Sequence, residues 1–440
     1  MDAVKRPGNE KPETGGEGPF QNTQEFARML DLQDNLREYR SRFFIPQHNN
    51  ADAVYFTGNS LGLQPKSTIN YIHQELEDWA TLGVMGHTAA RNPWVSYHEQ
   101  FAKPIAGLVG AKEEEVVVMN QLTVNLHLLL TTFYRPTKER YKIICEAKAF
   151  PSDQYALESQ VKLHGLDPNE AIVQVSPKEG EFVIETEDIL SAIQEHGDAT
   201  AVVLFGGVNY YSGQVLDMKA ITAAAHKAGA YAGFDLAHAI GNISMQLHDW
   251  DVDFACWCSY KYLNSGPGSV AGAYLHQKHA SNTSLPRLAG WWGTEKKTRF
   301  QMGPVFEPIP TAEGWQLSNA PVLSMAAHKA SLEIFAEAGI TSLVKKSKKQ
   351  TGFLFHILDE INNRKEEKII QVITPRDAHG CQVSMLMTQR GKEIFDALIS
   401  EGVIADWREP NVIRIAPVPL YNTFEDIWKF SDIISRILNK

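Results

Sequence analysis

Lys261 ends an apolar run in 254-FACWCSYKYLNSGPGSVAGAYLH-276, flanked by two tyrosines and followed by a glycine-rich turn. An ammonium led toward an interior must find a partner or shed its proton, because burial disfavours the charged form. A desolvated lysine deprotonates more readily and can then attack an aldehyde. Twenty-six residues earlier, Asp235 closes another apolar run, YAGFD (231–235), with His238 three positions on. A carboxylate at such a run's end is costly to bury unless it meets a cation or a donor. Plainer roles exist: Asp235 as the cap of a short helix, His238 as a hydrogen-bonded structural histidine.

Two more run ends carry suitable groups. After EVVVMN (115–120) come Gln121, Leu122 and Thr123. Thr123 is placed to cap the helix that follows, and the first N–H groups of that helix form a ready phosphate site. A cap without a ligand fits the same residues. After KIICEA (142–147) comes FPSD, in which Phe150 offers a planar face, Pro151 and Ser152 follow, and Asp153 can cap the next helix. Core packing is the other use for Phe150.

One cofactor uses all four kinds of group. Pyridoxal phosphate takes an amine for a Schiff base, a carboxylate at its pyridine nitrogen, a helix N-terminus for its phosphate and an aromatic ring on its face. Lys261, Asp235, Leu122–Thr123 and Phe150 supply these in strand–loop order. The glycines after Lys261 let the loop bend around ring and phosphate.

The elements that must hold these residues alternate. From about 100 to 275, short β-branched runs (115–120, 142–147, 201–207, 231–235, 252–258) are followed by helical stretches (124–134, 152–164, 218–229). This pattern predicts an α/β fold with a large, mainly parallel sheet covered on both faces, whose ligands sit beyond the carboxyl ends of the strands. Helices are expected over 22–42 and about 65–82. Near Pro321 the pattern changes to a smaller α+β unit. It holds a long helix over about 322–360 interrupted at KKSKK (345–349, read as a solvated face), strands in GCQVSMLM (380–387) and VIRIAPV (412–418), and a helix near 390–401. The expected organisation is a flexible tail over 1–21, a segment over 22–75 packing with the small domain, a large cofactor domain over 76–321 and a small C-terminal domain over 322–440. In VIRIAPV, Arg414 points away from the face of Ile413 and Ile415, and a guanidinium in so apolar a strand wants an anion; an internal ion pair is the plainer use.

The bulk numbers narrow the class. With 440 residues, 43% hydrophobic and 21% charged, the chain is globular and long enough for two or three domains. A net charge of −10 disfavours nucleic acid or an anionic membrane as partner. No run approaches the roughly 20 apolar residues of a membrane span, and the N-terminus lacks an apolar signal core. The chain reads as soluble and cytoplasmic. Four cysteines make no disulfide scaffold; Cys256 and Cys258 should face one side of a strand as small buried residues. No second Cys/His pair has zinc-like spacing, so no metal is expected.

After the tail, the chain resembles the kynureninases, which are pyridoxal phosphate enzymes of fold type I (the aspartate-aminotransferase-like fold). The resemblance rests on YFTGNSLGLQPK, FPSD, GFDLAHAIGN, DFACWCSYKYLN, GWWG, the SNAP turn and RIAPVPLYN, all in family order. It implies that Lys261 forms the Schiff base, Asp235 pairs with the pyridine nitrogen and Phe150 stacks on the ring. It implies that Leu122, Thr123, Tyr260 and Trp291 hold the phosphate, with Pro151, Ser152, Asp153 and His238 also at the cofactor. Asn319 of the SNAP turn resembles an asparagine at the cofactor–substrate end of a site built across a homodimer interface. Arg414 would grip the substrate's α-carboxylate, with His87 and Ser60 nearer the aromatic end. Where some relatives carry a hydroxyl residue this chain has Gly206, which offers only its backbone. The implied reaction is hydrolysis of L-kynurenine, or its 3-hydroxy form, to anthranilate (or 3-hydroxyanthranilate) and L-alanine, in tryptophan breakdown or nicotinamide nucleotide synthesis. Tyr260 would be a proton relay.

Rival readings remain. A cysteine desulfurase needs a mobile cysteine, and only Cys381, in a strand-like run, follows Lys261. An aminotransferase would use Lys261, Asp235 and Arg414 equally well. A silent scaffold would not need them, and no dinucleotide-binding G-x-G-x-x-G follows an early strand.

Overall fold

The computed structural model describes residues 19–439, so the tail expected over 1–21 lies almost wholly outside the described residues. The helix expected over 22–42 is shorter: α1 spans Gln24–Leu32, and a 3₁₀ turn covers Arg37–Arg42. Between them Asp34 Oδ1 accepts the Leu36 N–H at 2.9 Å, an Asx turn that competes with helix continuation. Helix α2 follows at Thr68–Leu82.

The larger sheet has seven strands among the described residues: β1 Val116–Val118, β2 Lys142–Glu146, β3 Ile172–Val175, β4 Thr200–Gly206, β5 Tyr231–Asp235, β6 Phe254–Trp257 and β7 Gly272–Leu275. Their order is β1-β7-β6-β5-β4-β2-β3. The pairs β2–β3, β2–β4, β4–β5 and β5–β6 are parallel, and β7 runs antiparallel between β6 and β1. Between strands lie α3 Leu122–Phe133, α4 Pro151–Leu163, α5 Thr186–His196 and α6 Met218–Lys227. Successive side chains of a strand point to opposite faces, and here both faces are apolar. Ile144, Val203, Ala255 and Trp257 belong to one core cluster, while Ile143, Cys145, Val202, Leu204, Phe254 and Cys256 belong to the other. Sequence reading missed β3, α5 and β7; IVQV is half exposed at the sheet edge and carries little apolar signal.

Past Pro321 the expected single helix is two, α7 Val322–Ala338 and α8 Ile340–Asn363. The break falls at Gly339, whose φ of 72° is left-handed, and not at KKSKK. That stretch runs inside α8, and its Lys346 is buried against Asp34 at 2.7 Å. A second, antiparallel sheet holds β8 Ile370–Val372, β9 Val383–Met387, β10 Asp406–Arg408 and β11 Val412–Ile415, in the order β8-β9-β11-β10. Helices α9 Gly391–Ser400 and α10 Phe424–Leu438 complete this unit. Its core takes in Ala27 and Leu30 of α1, and Val54–Tyr55 pairs with Val403–Ile404.

Candidate active site

The carboxyl ends of β1, β2, β4, β5 and β6 converge on one recess. Leu122, Thr123, Phe150, Ser152, Asp153, Asp235, His238, Tyr260 and Lys261 line it together. Glu146, Gly206, Val208, Tyr210 and Ala237 line it as well. Strand ends carry the site because the ladder stops there and the chain must turn, freeing polar groups next to a packed sheet.

Two helices start at the recess. Gln121, not Thr123, is the N-cap residue of α3, and its side chain makes no capping bond. The turn into the helix is set one residue early by Asn120, at φ 50°. Thr123 is therefore inside the first turn, where its Oγ1 lies 2.7 Å from Ser152 Oγ in the first turn of α4. The N-cap of α4 is Phe150, also without a side-chain capping bond, and Pro151 holds the first helical position, where a missing N–H costs nothing. Two uncapped N-termini leave N–H groups and positive dipole ends for an anion.

Three carboxyl groups lie at the recess. Asp235 accepts the Ala237 N–H at 2.6 Å. Asp153, the third residue of α4, does not cap its helix; burial, then the charge of Asp235, push its carboxyl well above the usual range, and the two carboxyls share a hydrogen bond. A protonated Asp153 can donate to Asp235, while its Oδ1 stays buried without a partner. Glu146 is pushed up by burial too, and accepts from Gly206 N–H at 3.2 Å and Asn209 Nδ2 at 2.8 Å. A Cβ on Gly206 would stand 2.9 Å from Glu146 Oε1, so glycine is what lets this carboxylate approach the strand.

Lys261 is half-buried in the turn after β6, so it stands on the wall of the recess rather than within the strand. Its Nζ lies 3.0 Å from His238 Nε2 and 5.8 Å from the centroid of the Phe150 ring. Burial, then the lysine charge, push His238 well below its usual value, so the imidazole is neutral and Nε2 accepts. His238 Nδ1 is then left as a buried donor without a partner. Phe150 is 44% exposed, an aromatic face held at the mouth with Tyr210 edge-on at 5.5 Å. Burial, then the nearby Cys258 thiol, raise the Tyr260 hydroxyl, so it keeps its proton at neutral pH.

Other sequence-predicted residues stand elsewhere. Trp291 is half exposed, donates from Nε1 to Arg299 O at 3.2 Å and borders a different recess. Asn319 is exposed beside a third recess, with Asn120 and Gln121. His87 sits edge-on against Trp94 with ring centroids 5.5 Å apart. Ser60 is exposed in a loop that backs onto the lysine turn through Gly62 N–H donating to Tyr260 O at 2.8 Å. Arg414 is fully buried on β11 and already has an anion: Asp406 Oδ2 at 2.5 Å, directly across the ladder, together with the Tyr210 carbonyl. Of the two uses open to this guanidinium, the internal ion pair is present. Glu146 carried the same signal as Asp235, a carboxylate closing an apolar run, whereas Tyr210 had no signal beyond its place in a loop.

The fold and the recess define the class: a fold-type-I pyridoxal phosphate enzyme. A cysteine desulfurase of Escherichia coli superposes with a TM-score of 0.73 at 16% identity, covering 92% of this chain and 98% of that one. Residues 87–248 match the DegT/DnrJ/EryC1/StrS aminotransferase family, and residues 343–434 match the kynureninase C-terminal domain. A kynureninase of Flavobacterium psychrophilum is 57% identical over 420 residues, 95% of this chain and 98% of that protein. One of Mus musculus is 46% identical over 431 residues, 94% and 93%. The chain belongs to the kynureninase family.

Proposed function

We propose that the protein hydrolyses L-kynurenine, its 3-hydroxy form, or both, releasing anthranilate or 3-hydroxyanthranilate and L-alanine, with pyridoxal phosphate as cofactor. The observation that carries this is the meeting of Lys261, Asp235 and Phe150 in one recess with two uncapped helix N-termini. The buried His238 Nδ1 and Asp153 Oδ1, both without partners, suit a site made for a polar aromatic guest.

In this reading the first turns of α3 and α4, with Thr123 and Ser152, hold the phosphate. Phe150 covers the ring, and Asp235, positioned by Asp153 and the Ala237 N–H, holds a proton at the pyridine nitrogen. Bound there, pyridoxal phosphate supplies an electron sink for the pair left when a substrate C–H or C–C bond breaks. Lys261 Nζ takes the substrate's α-proton and returns it, with neutral His238 accepting from the ammonium form. Water adds to the γ-carbonyl, the Cβ–Cγ bond breaks, and the β-carbon gains a proton to become the alanine methyl. Tyr260 is the proton relay for these later steps.

We also propose that Trp291, Asn319 and His87 serve the recess of a second copy in a homodimer. Each lies away from its own chain's recess, and Trp291 is exposed. Ser60 would complete the substrate end. We place the enzyme in the cytoplasm; among the described residues no helix is long and apolar enough to cross a membrane.

The match over 87–248 favours an aminotransferase as the second reading. A desulfurase is disfavoured, because Cys381 is buried on the way into β9 and burial pushes its thiol up to about 12. Purified holoenzyme given each kynurenine separately should release alanine and the matching aromatic acid in equal amounts. Release of neither, with a pyridoxamine form appearing and converted back on adding a keto acid, would establish transamination instead.

A further inference from the structure

Arg414 is not alone on its face of the second sheet. Strand β10 presents Asp406 directly opposite Arg414, and Arg408, two residues on, shares the Asp406 face. Asp406 Oδ2 accepts from Arg414 Nη2 at 2.5 Å and from Arg408 Nη2 at 3.2 Å. One carboxylate thus serves two guanidiniums, leaving a net positive charge around a fully buried arginine. The Nε of Arg414 and the Nε of Arg408 are both buried without a hydrogen-bond partner. A buried N–H in that state is unfavourable, so the cluster is one anion short. Both guanidiniums are close enough to His238, beside Lys261, to depress its basicity.

A carboxylate gripped by a bidentate fork needs two neighbouring N–H groups of the guanidinium. On Arg414 Nε alone has no partner at all; Nη1 donates to the Tyr210 carbonyl and Nη2 to Asp406, so a fork made of Nε and Nη2 must share Nη2 with Asp406. The Tyr210 carbonyl is fixed, because Gln382 Nε2 also donates to it at 3.0 Å and the preceding Asn209 is pinned to Glu146. Asp406 is the partner that can move, since Arg408 already holds the same oxygen.

We propose that Asp406 is an exchangeable counter-ion that holds Arg414 in substrate-free enzyme, and that Arg408 is the positioning residue that takes Asp406 over when a substrate α-carboxylate claims Arg414. The exchange keeps each charge paired throughout and breaks no covalent bond. Free enzyme is kept from leaving a buried guanidinium without an anion, at the cost of a competitor that every substrate must displace. Ligands without an α-carboxylate gain nothing from the exchange. This inference rests on the α-carboxylate reading of Arg414 given above.

The test uses holoenzyme and two inhibitors that differ in one group: L-homophenylalanine, which lacks the cleavable carbonyl, and 3-phenylpropylamine, the same skeleton without the carboxylate. Inhibition constants and the equilibrium shift of the cofactor absorbance are measured for both. Arg408→Met should weaken the amino acid about tenfold and leave the amine unchanged, while Asp406→Asn should tighten the amino acid, and Arg408→Lys should restore most of the loss. In the Asp406→Asn background, Arg408→Met should do nothing further, because there is no carboxylate left to receive. Equal weakening of both inhibitors by Arg408→Met, or an undiminished effect in the double variant, would overturn the proposal. A parent enzyme that fails to prefer the amino acid over the amine would instead remove the α-carboxylate role of Arg414. If Arg408→Met does not fold, the Asp406→Asn arm still decides: tighter binding of the amino acid with the amine unchanged supports the exchange, and no shift for the amino acid, or an equal one for the amine, overturns it.

Discussion

Gly62 tests how the lysine turn is held. Its N–H donates to Tyr260 O at 2.8 Å, and a Cβ there would stand 2.3 Å from the Lys261 carbonyl oxygen and 2.7 Å from Asn264 Cα. Real Cβ atoms essentially never come nearer than 3.0 Å, so Gly62→Ala must push backbone apart by about 0.7 Å or more. The φ of Gly62 is not in the left-handed region, so the cost is steric and not conformational. Overpacking of this kind costs about 1–3 kcal/mol, and stretching the Tyr260 bond adds about 0.5–1.5 kcal/mol, roughly 2–4 kcal/mol in all. The displaced atoms belong to Lys261 itself, and a shift approaching 1 Å at a reacting group costs about 10²-fold in rate. Thermal unfolding followed by circular dichroism should show a Tm several degrees lower, and turnover should fall about 10- to 100-fold with the cofactor still trapped on Lys261 by borohydride. Gly266→Ala is the control: its φ is +93° and nothing lies within 4 Å of a Cβ, so it carries only backbone strain of about 1–2 kcal/mol. Parent-like Tm and turnover in Gly62→Ala would refute the close approach of the two backbones.

Tyr260→Phe should leave cofactor binding, read from the absorbance of the holoenzyme, nearly unchanged while slowing turnover; unchanged turnover would exclude Tyr260 from the chemistry. Asp153 has a raised pKa from burial and from Asp235, so in the cofactor-free protein its contribution is full below the unfolded carboxyl value and is lost as pH rises through the folded one. Asp153→Asn keeps a donor toward Asp235 without that proton, so its stability relative to the parent should improve from pH 4 toward neutral in urea titrations; a flat difference would contradict the shared proton. His328 is fully buried, stacked on Phe101 with centroids 5.5 Å apart, and burial lowers it from 6.5 to about 3. A lowered histidine gives stability that is present above 6.5 and lost as pH falls toward 3, worth roughly 2–5 kcal/mol. His328→Gln should flatten that acid limb of the stability profile, and an unchanged limb would place the titration elsewhere.

Which parts of this could be seen in the chain alone follows from how local each feature is. Lys261, Asp235, Phe150 and Thr123 each stand where an apolar run stops, and the β–α alternation puts all such stops on one edge of a parallel sheet; the recess lined by them was legible for that reason. Even Glu146 was readable by the same rule. Local rules also went wrong where a distant contact decided: KKSKK looks solvated until Asp34 of the N-terminal segment is brought to Lys346, and the helix break belongs to Gly339 because that residue alone adopts a left-handed turn there.

The amino-acid order thus determined the chemistry available at the strand ends, because an abrupt change from apolar to polar residues is written within a few positions. Only the tertiary structure decided who meets whom across the chain. It set Asp406 against Arg414 and brought Tyr210 to the same guanidinium. It kept Trp291, Asn319 and His87 away from their own recess and placed Gly62 against the lysine turn. Those pairings depend on strand order, cross-strand register and the seating of one sheet beside another. A one-residue slip in register would turn Arg414 to the opposite face, and no stretch of sequence encodes that alignment by itself.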